Sequence, residues 1–158
     1  MTHPFPPLYS PDSRILILGS FPSVKSREQQ FFYGHPQNRF WKLIAALLGA
    51  PVPETIEEKR ALILGNHLAL YDTIFSCEIT GSSDASIKNA VPTDLSPILQ
   101  TARIEKICCN GTKSWELYQK YQLPLTGIPA EKLPSTSPAN AAWSLEKLTA
   151  AWREVLFS

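Results

Sequence analysis

Residues 14–18, Arg-Ile-Leu-Ile-Leu, form an unbroken apolar run behind one arginine and stop at Gly19, the pattern of a strand buried on both faces of a parallel sheet. Residues 20–37 carry no helical period and read as a long loop. Phe40, Trp41, Ile44, Leu47 and Leu48 then recur at helical spacing, with Asn38 placed as N-cap and Gly49 as the stop. Thr55 and Glu58 make a capping box ahead of residues 61–64, Gly65 ends that helix, and residues 67–74 show the alternation and β-branching of a second strand. The polar stretch 80–89 reads as another long loop. Further on, the pattern predicts a short helix over 95–101, a third strand over 104–109 closed by Asn110-Gly111, and a helix over 113–121 containing Trp115 and Leu117. A short fourth strand is expected near 125–128. Residues 144–157 close the chain as a helix with Leu145, Leu148, Trp152, Val155 and Leu156 on one face.

Alternating strands and helices predict an α/β fold with three α/β/α layers and a four-stranded parallel sheet, in a single domain over residues 1–158. In such sheets the site lies beyond the carboxyl ends of the strands. The segments there are Gly19-Ser20-Phe21-Pro22-Ser23, Asp72-Thr73 and Asn110-Gly111-Thr112, joined by the loop at residues 133–140. Polar and turn residues thus cluster where a ligand would bind.

Composition narrows the classes. With 44% apolar and 18% charged residues, the 158-residue chain can bury a substantial core. A net charge of +1 excludes a nucleic-acid binder that works by bulk charge, so any anionic partner must be held by a local patch. Three cysteines, two of them neighbours, do not suggest a disulfide framework. Residues 1–7 are proline-rich where a signal peptide would be apolar, and no run reaches the ~18 apolar residues of a membrane span. A soluble, cytoplasmic protein is expected. The 14 prolines fall between apolar segments and read as loop punctuation.

Three segments together resemble the uracil-DNA glycosylase superfamily. Gly19-Ser20-Phe21-Pro22-Ser23 resembles its first motif. Tyr33-Gly34-His35-Pro36-Gln37-Asn38-Arg39-Phe40-Trp41 resembles the segment that follows it in mismatch-specific uracil and thymine glycosylases. Ser135-Thr136-Ser137-Pro138-Ala139-Asn140 resembles the Ser-Pro loop that grips the DNA backbone. Two departures narrow the branch. Phe21 stands where the first motif usually has a water-orienting Asp or Asn, and Ser135 or Leu133 stands where the second usually begins with His or Asn. With Gly81-Ser82-Ser83-Asp84-Ala85-Ser86-Ile87 after the second strand, this pattern is similar to the hypoxanthine-DNA (deoxyinosine) glycosylase branch. The resemblance implies that Asn38 carries catalysis, whereas its position before an apolar helical run also suits a cap, and the two roles are compatible. The iron-sulfur branches need four cysteine ligands, which three cannot supply.

Base excision needs a flipped nucleotide, a surface for the base, groups that read its edge, and a water aimed at the sugar carbon. Under the resemblance, Tyr33 stacks on the base or packs as a loop aromatic, and Phe21 supplies an apolar wall or plugs the sheet. Asp72 accepts the N1–H of hypoxanthine, helps polarise the water, or caps the turn. Ser23, Lys25, His35, Thr112, Lys113, Ser137 and Asn140 are the expected DNA contacts. His3 and His67 carry little weight. Cys108 and Cys109 read as small core residues. The expected activity is monofunctional hydrolysis of the N-glycosidic bond of a deaminated base, hypoxanthine first, by a monomer acting on double-stranded or single-stranded DNA with no cofactor or metal. The alternatives are a uracil or mismatch-thymine glycosylase, and a non-catalytic nucleic-acid-binding module of the same fold.

Overall fold

The computed structural model describes residues 1–157. Strand β1 (Ile15–Gly19) pairs in parallel with β2 (Leu68–Asp72) on one side and with β5 (Lys106–Asn110) on the other, and β5 pairs in parallel with β6 (Ala130–Leu133). The result is a four-stranded parallel sheet in the order β2-β1-β5-β6. Leu16, Ile17, Leu18, Cys108 and Cys109 are fully buried, which is what an unbroken apolar run predicts for interior strands. Five helices flank the sheet or pack against its helices: α2 (Phe40–Leu48), α3 (Ile56–Gly65), α4 (Ser96–Thr101), α5 (Thr112–Leu117) and α7 (Leu145–Leu156). Of these, α3 lies on β2, α5 on β5 and β6, and α7 on β6 and α2.

From β1 the chain crosses to β2, whereas from β5 it crosses the opposite way to β6. The crevice beyond the carboxyl ends of β1 and β5 is therefore the topological switch point, where open α/β sheets bind ligands. Gly19 and Asp72 are direct neighbours in the β1–β2 register, so these two residues arrive at the crevice side by side.

The structure departs from the sequence expectations in four places. The loop at 20–37 contains a helix, α1 (Val24–Gln29), capped by Ser23 and too short to show a period. The second strand ends at Asp72, and β3 (Ile74–Glu78) pairs instead with β4 (Lys88–Pro92) in an antiparallel hairpin that takes in the expected loop at 80–89. The two strands are separated by a bend at Thr73, although the Thr73 N–H still donates to the Gly19 carbonyl at 2.8 Å as the next ladder bond of the β1–β2 pair. The fourth strand lies at Ala130–Leu133, while Leu123–Thr126 is a short helix, α6, entered through Pro124. Finally, α2 takes Arg39, not Asn38, as its N-cap residue.

The proline-rich start runs along β2 and β3. Leu8 exchanges two backbone hydrogen bonds with Leu70, each 2.9 Å, and the His3 N–H donates to the Phe75 carbonyl at 2.6 Å. The prolines between these points lack an N–H, so they hold the segment extended without extending the ladder.

Candidate active site

A cavity of about 270 Å³ opens at the switch point, just below the usual range for ligand sites. It is lined by the ends of β1, β2 and β5 (Gly19, Asp72, Asn110), the loop after β1 with Phe21, the segment with Tyr33, His35 and Asn38, Asp84, and the Ser-Pro loop. Segments far apart in sequence thus meet at one cleft.

Asn38 is held from two sides. Its Oδ1 accepts the Phe40 N–H at 2.9 Å and the Thr136 hydroxyl proton at 2.8 Å. Thr136 is fixed in turn by Asn110, which donates from Nδ2 to Thr136 Oγ1 and accepts the Thr136 N–H, both at 3.0 Å. The Phe40 N–H can only donate, so it settles which end of the Asn38 amide is oxygen. The expected capping role is therefore real but displaced by one residue: Asn38 satisfies the first helical N–H from outside the cap position. With Oδ1 doubly occupied, what Asn38 offers the cavity is Nδ2, a donor of two protons.

Arg39 bolts the Ser-Pro loop to α2. Its Nη2 donates to the Ser137 carbonyl at 2.9 Å and the Asn140 carbonyl at 3.0 Å, Nη1 to the Trp143 carbonyl, and its backbone N–H to the Thr136 carbonyl at 3.1 Å. Sequence reasoning recognised the run that contains Arg39 but assigned it no role.

Asp72 is nearly closed off, with 7% of its side chain exposed, and its Oδ2 lies 2.7 Å from His3 Nε2. Gly19 is obligatory beside it, because a Cβ there would stand 2.4 Å from Asp72 Oδ1. Tyr33, in the left-handed region at φ 52°, stacks on Phe40 with ring centroids 4.0 Å apart, so one ring face is already covered. Its hydroxyl is buried with no hydrogen-bond partner. Burial, then the Asp72 charge, push the phenol well above its ordinary pKa; the nearby Asn110 amide opposes this, but both its polar atoms are engaged by Thr136.

Asp84 is a second carboxylate at the cavity. The residue is exposed as a whole, yet its Oδ1 turns inward to accept the Ser20 hydroxyl at 2.6 Å. Enclosure of the carboxyl group raises its pKa above the usual carboxylate value, the Ser20 hydrogen bond opposes that, and the Asp72 charge reinforces it. A raised native pKa means that ionised Asp84 costs stability at neutral pH, and that this cost disappears once the group is protonated. Asp84→Asn should therefore raise the melting temperature at pH 7 by a small amount, on the order of 1–2 °C after solvent screening. The gain should vanish below about pH 4. Calorimetry across that range checks the sign, and a stability loss at pH 7 would contradict it.

The other expected site residues fall into three groups. Phe21, His35 and Ser137 line the cavity, with His35 Nδ1 accepting the Gln37 N–H at 3.1 Å and Ser137 Oγ the Ala139 N–H at 3.2 Å. Ser23 also lines it, but its hydroxyl caps α1 through Ser26. Thr112, Lys113 and Asn140 line an adjoining groove together with Lys132 and Trp143, and this groove shares Asp84, Ser135 and Ser137 with the cavity. Lys25 lines neither; it pairs with Glu28 on the exposed side of α1 at 3.3 Å. Among the site residues given no role in advance, Ser20, Asp84, Asn110 and Thr136 sit in segments already marked as strand ends or motifs. His3 had no such signal.

A parallel sheet with a small cavity at its switch point, a fixed amide inside and a polar groove alongside suits an enzyme that acts on a nucleic-acid base drawn out of its strand. The chain matches the family model described as the uracil DNA glycosylase superfamily over residues 6–156, and it belongs to that superfamily. It is 34% identical over 144 residues to a protein of Methanosarcina acetivorans named hypoxanthine DNA glycosylase, covering 89% of each chain. It is 32% identical over 152 residues to one of the same name from Methanosarcina barkeri, covering 95% of this chain and 94% of the relative. Its fold is similar to the solution NMR structure of a Methanosarcina acetivorans protein provisionally described as a uracil DNA glycosylase, with a TM-score of 0.79, 31% identity, and coverage of 98% of this chain and 99% of that one. Among the described residues, no helix is long and apolar enough to cross a membrane.

Proposed function

We propose that this chain is a monofunctional DNA glycosylase that hydrolyses the N-glycosidic bond of deoxyinosine, releasing hypoxanthine and leaving an abasic site. The observation that carries the reading is the fixed Asn38 amide in a base-sized cavity, in a chain similar over most of its length to proteins named hypoxanthine DNA glycosylase. Phe21 supplies an apolar wall, Asn38 holds the attacking water by its oxygen through Nδ2, and Asp72 meets the base. As the bond breaks, the purine leaves with the bonding electrons, the water oxygen bonds the sugar carbon, and the proton that this water gives up ends on the departing purine, so that neutral hypoxanthine and a sugar hydroxyl result. No lysine is among the described residues lining the cavity, so there is no amine placed for a Schiff base and water is the nucleophile. Thr112, Lys113, Ser137 and Asn140 hold phosphates along the adjoining groove, and the damaged nucleotide swings from it into the cavity. On this reading the enzyme acts as a monomer on double-stranded or single-stranded DNA.

The test is single-turnover excision from duplex oligonucleotides carrying inosine, uracil, xanthine or mismatched thymine. Hypoxanthine should be released fastest. Release of uracil or thymine alone would move the chain to the pyrimidine-specific enzymes, and tight binding without release of any base would make it a binding module.

A further inference from the structure

Three polar groups remain that make no hydrogen bond to Asn38 or Thr136: the Asp72 carboxylate and the Tyr33 hydroxyl in residues that line the cavity, and the His3 imidazole against Asp72. His3 is fully buried, its Nε2 faces Asp72 Oδ2 at 2.7 Å, and its Nδ1 has no partner. The arrangement that leaves no buried donor unpaired puts the ring proton on Nε2, donating to Asp72. Oδ2 is thereby occupied and the carboxylate cannot rotate freely, which leaves Oδ1 as the acceptor on the Gly19 side. The space that a Gly19 Cβ would fill is 2.4 Å from Asp72 Oδ1 and 3.4 Å from Tyr33 Oη. Asp72 Oδ1 and Tyr33 Oη therefore both lie against Gly19 in the cavity wall, an acceptor beside a buried donor that has no protein partner.

We propose that Tyr33 Oη and Asp72 Oδ1 form a donor–acceptor pair that reads the edge of the flipped base, and that His3 is the positioning residue that sets this pair. Hypoxanthine presents a matching edge, the O6 acceptor next to the N1–H donor. Adenine presents the reverse, an amino donor next to a bare N1, so its N1 lone pair meets the carboxylate and the tyrosine proton meets an amine. A site built from buried hydrogen-bonding groups rejects the wrong partner strongly because its own polar atoms are then left unpaired. The pair thus separates hypoxanthine from adenine, the parent base whose edge deamination inverts; guanine shares the O6 and N1–H edge and differs from hypoxanthine at C2. This inference rests on the reading that the cavity receives hypoxanthine.

The experiment compares single-turnover excision of inosine with that of 2′-deoxynebularine, a purine nucleoside lacking both O6 and N1–H. Tyr33→Phe keeps the stacked ring and should slow inosine excision by roughly 10- to 100-fold while changing nebularine excision by less than about threefold. If the unaltered enzyme leaves nebularine uncut, the same substrate-dependent loss is read from equilibrium binding of the two oligonucleotides. His3→Ala should cost about tenfold on inosine, and His3→Gln, whose amide N–H reaches the same place, should restore most of that rate. Equal slowing of both substrates by Tyr33→Phe, or no slowing, would overturn the edge-reading role. A His3→Gln variant as slow as His3→Ala would overturn the positioning role. Both results differ from failure of the unaltered enzyme to release hypoxanthine at all, which would remove the underlying reading together with this one.

Discussion

Asn38→Ala is expected to slow single-turnover release of hypoxanthine by about 100-fold or more, the scale of losing one preorganised group at a reacting centre. The substitution has a structural cost as well, because the Phe40 N–H and the Thr136 hydroxyl both lose their acceptor. Loss of such a helix-end acceptor is worth about 0.5–2 kcal/mol, so the melting temperature should fall by a few degrees. Asn38→Asp separates the two effects. It retains an oxygen for Phe40 and Thr136 but replaces the Nδ2 donor with a second acceptor, so it should melt near the unaltered protein and remain as slow as alanine. An aspartate variant within about threefold of full activity would assign Asn38 to the helix entrance alone.

Arg39→Ala is expected to destabilise the fold by about 2–4 kcal/mol, since one guanidinium serves the carbonyls of Ser137, Asn140 and Trp143 and each charge-assisted bond is individually worth more than a neutral one. For a chain of this size that corresponds to a fall of roughly 5–12 °C in melting temperature. Excision should drop by about 10- to 100-fold even at a temperature where the variant is folded, because the loop Arg39 clamps also carries Thr136, which fixes Asn38. Arg39→Lys should rescue little, for a single ammonium cannot fork to three carbonyls. A lysine variant matching the parent in both melting and excision would show that charge, not the fork, is what the loop needs.

The interior of the sheet was legible because burial on both faces leaves no ambiguity in the residue pattern: Leu16, Ile17 and Leu18 have no solvent side to disguise. The edge was not. In Ala130–Leu133 the middle residues are Glu131 and Lys132, both exposed, so the apolar pull of Leu125 and Ile128 drew the expected strand upstream into a helical turn. The hairpin of β3 and β4 was hidden because Ile74 continues the apolar character of β2 across the bend at Thr73. At the site, motifs local in sequence brought Asn38 and Asp72 to notice. The His3–Asp72 contact spans 69 residues and depends on a proline-rich segment docking along β2 and β3, for which no local pattern exists. Asp84 lay in a recognised segment but took on meaning only once Ser20 was seen to draw its carboxyl inward.

The adjacent thiols of Cys108 and Cys109 lie fully buried in β5, and burial pushes both up to about pKa 12. They are shielded twice, since the reactive thiolate is scarce at neutral pH and a reagent cannot reach it. Alkylation therefore requires β5 to part from its neighbours, and its rate measures the free energy of that opening. Asn110 is the next residue of the same strand, so the thiols act as a reporter one step from the cavity. Cys77, buried in β3, reports separately on the hairpin. Following the modified peptides by mass spectrometry would show whether DNA tightens the sheet or only the hairpin, with no residue replaced.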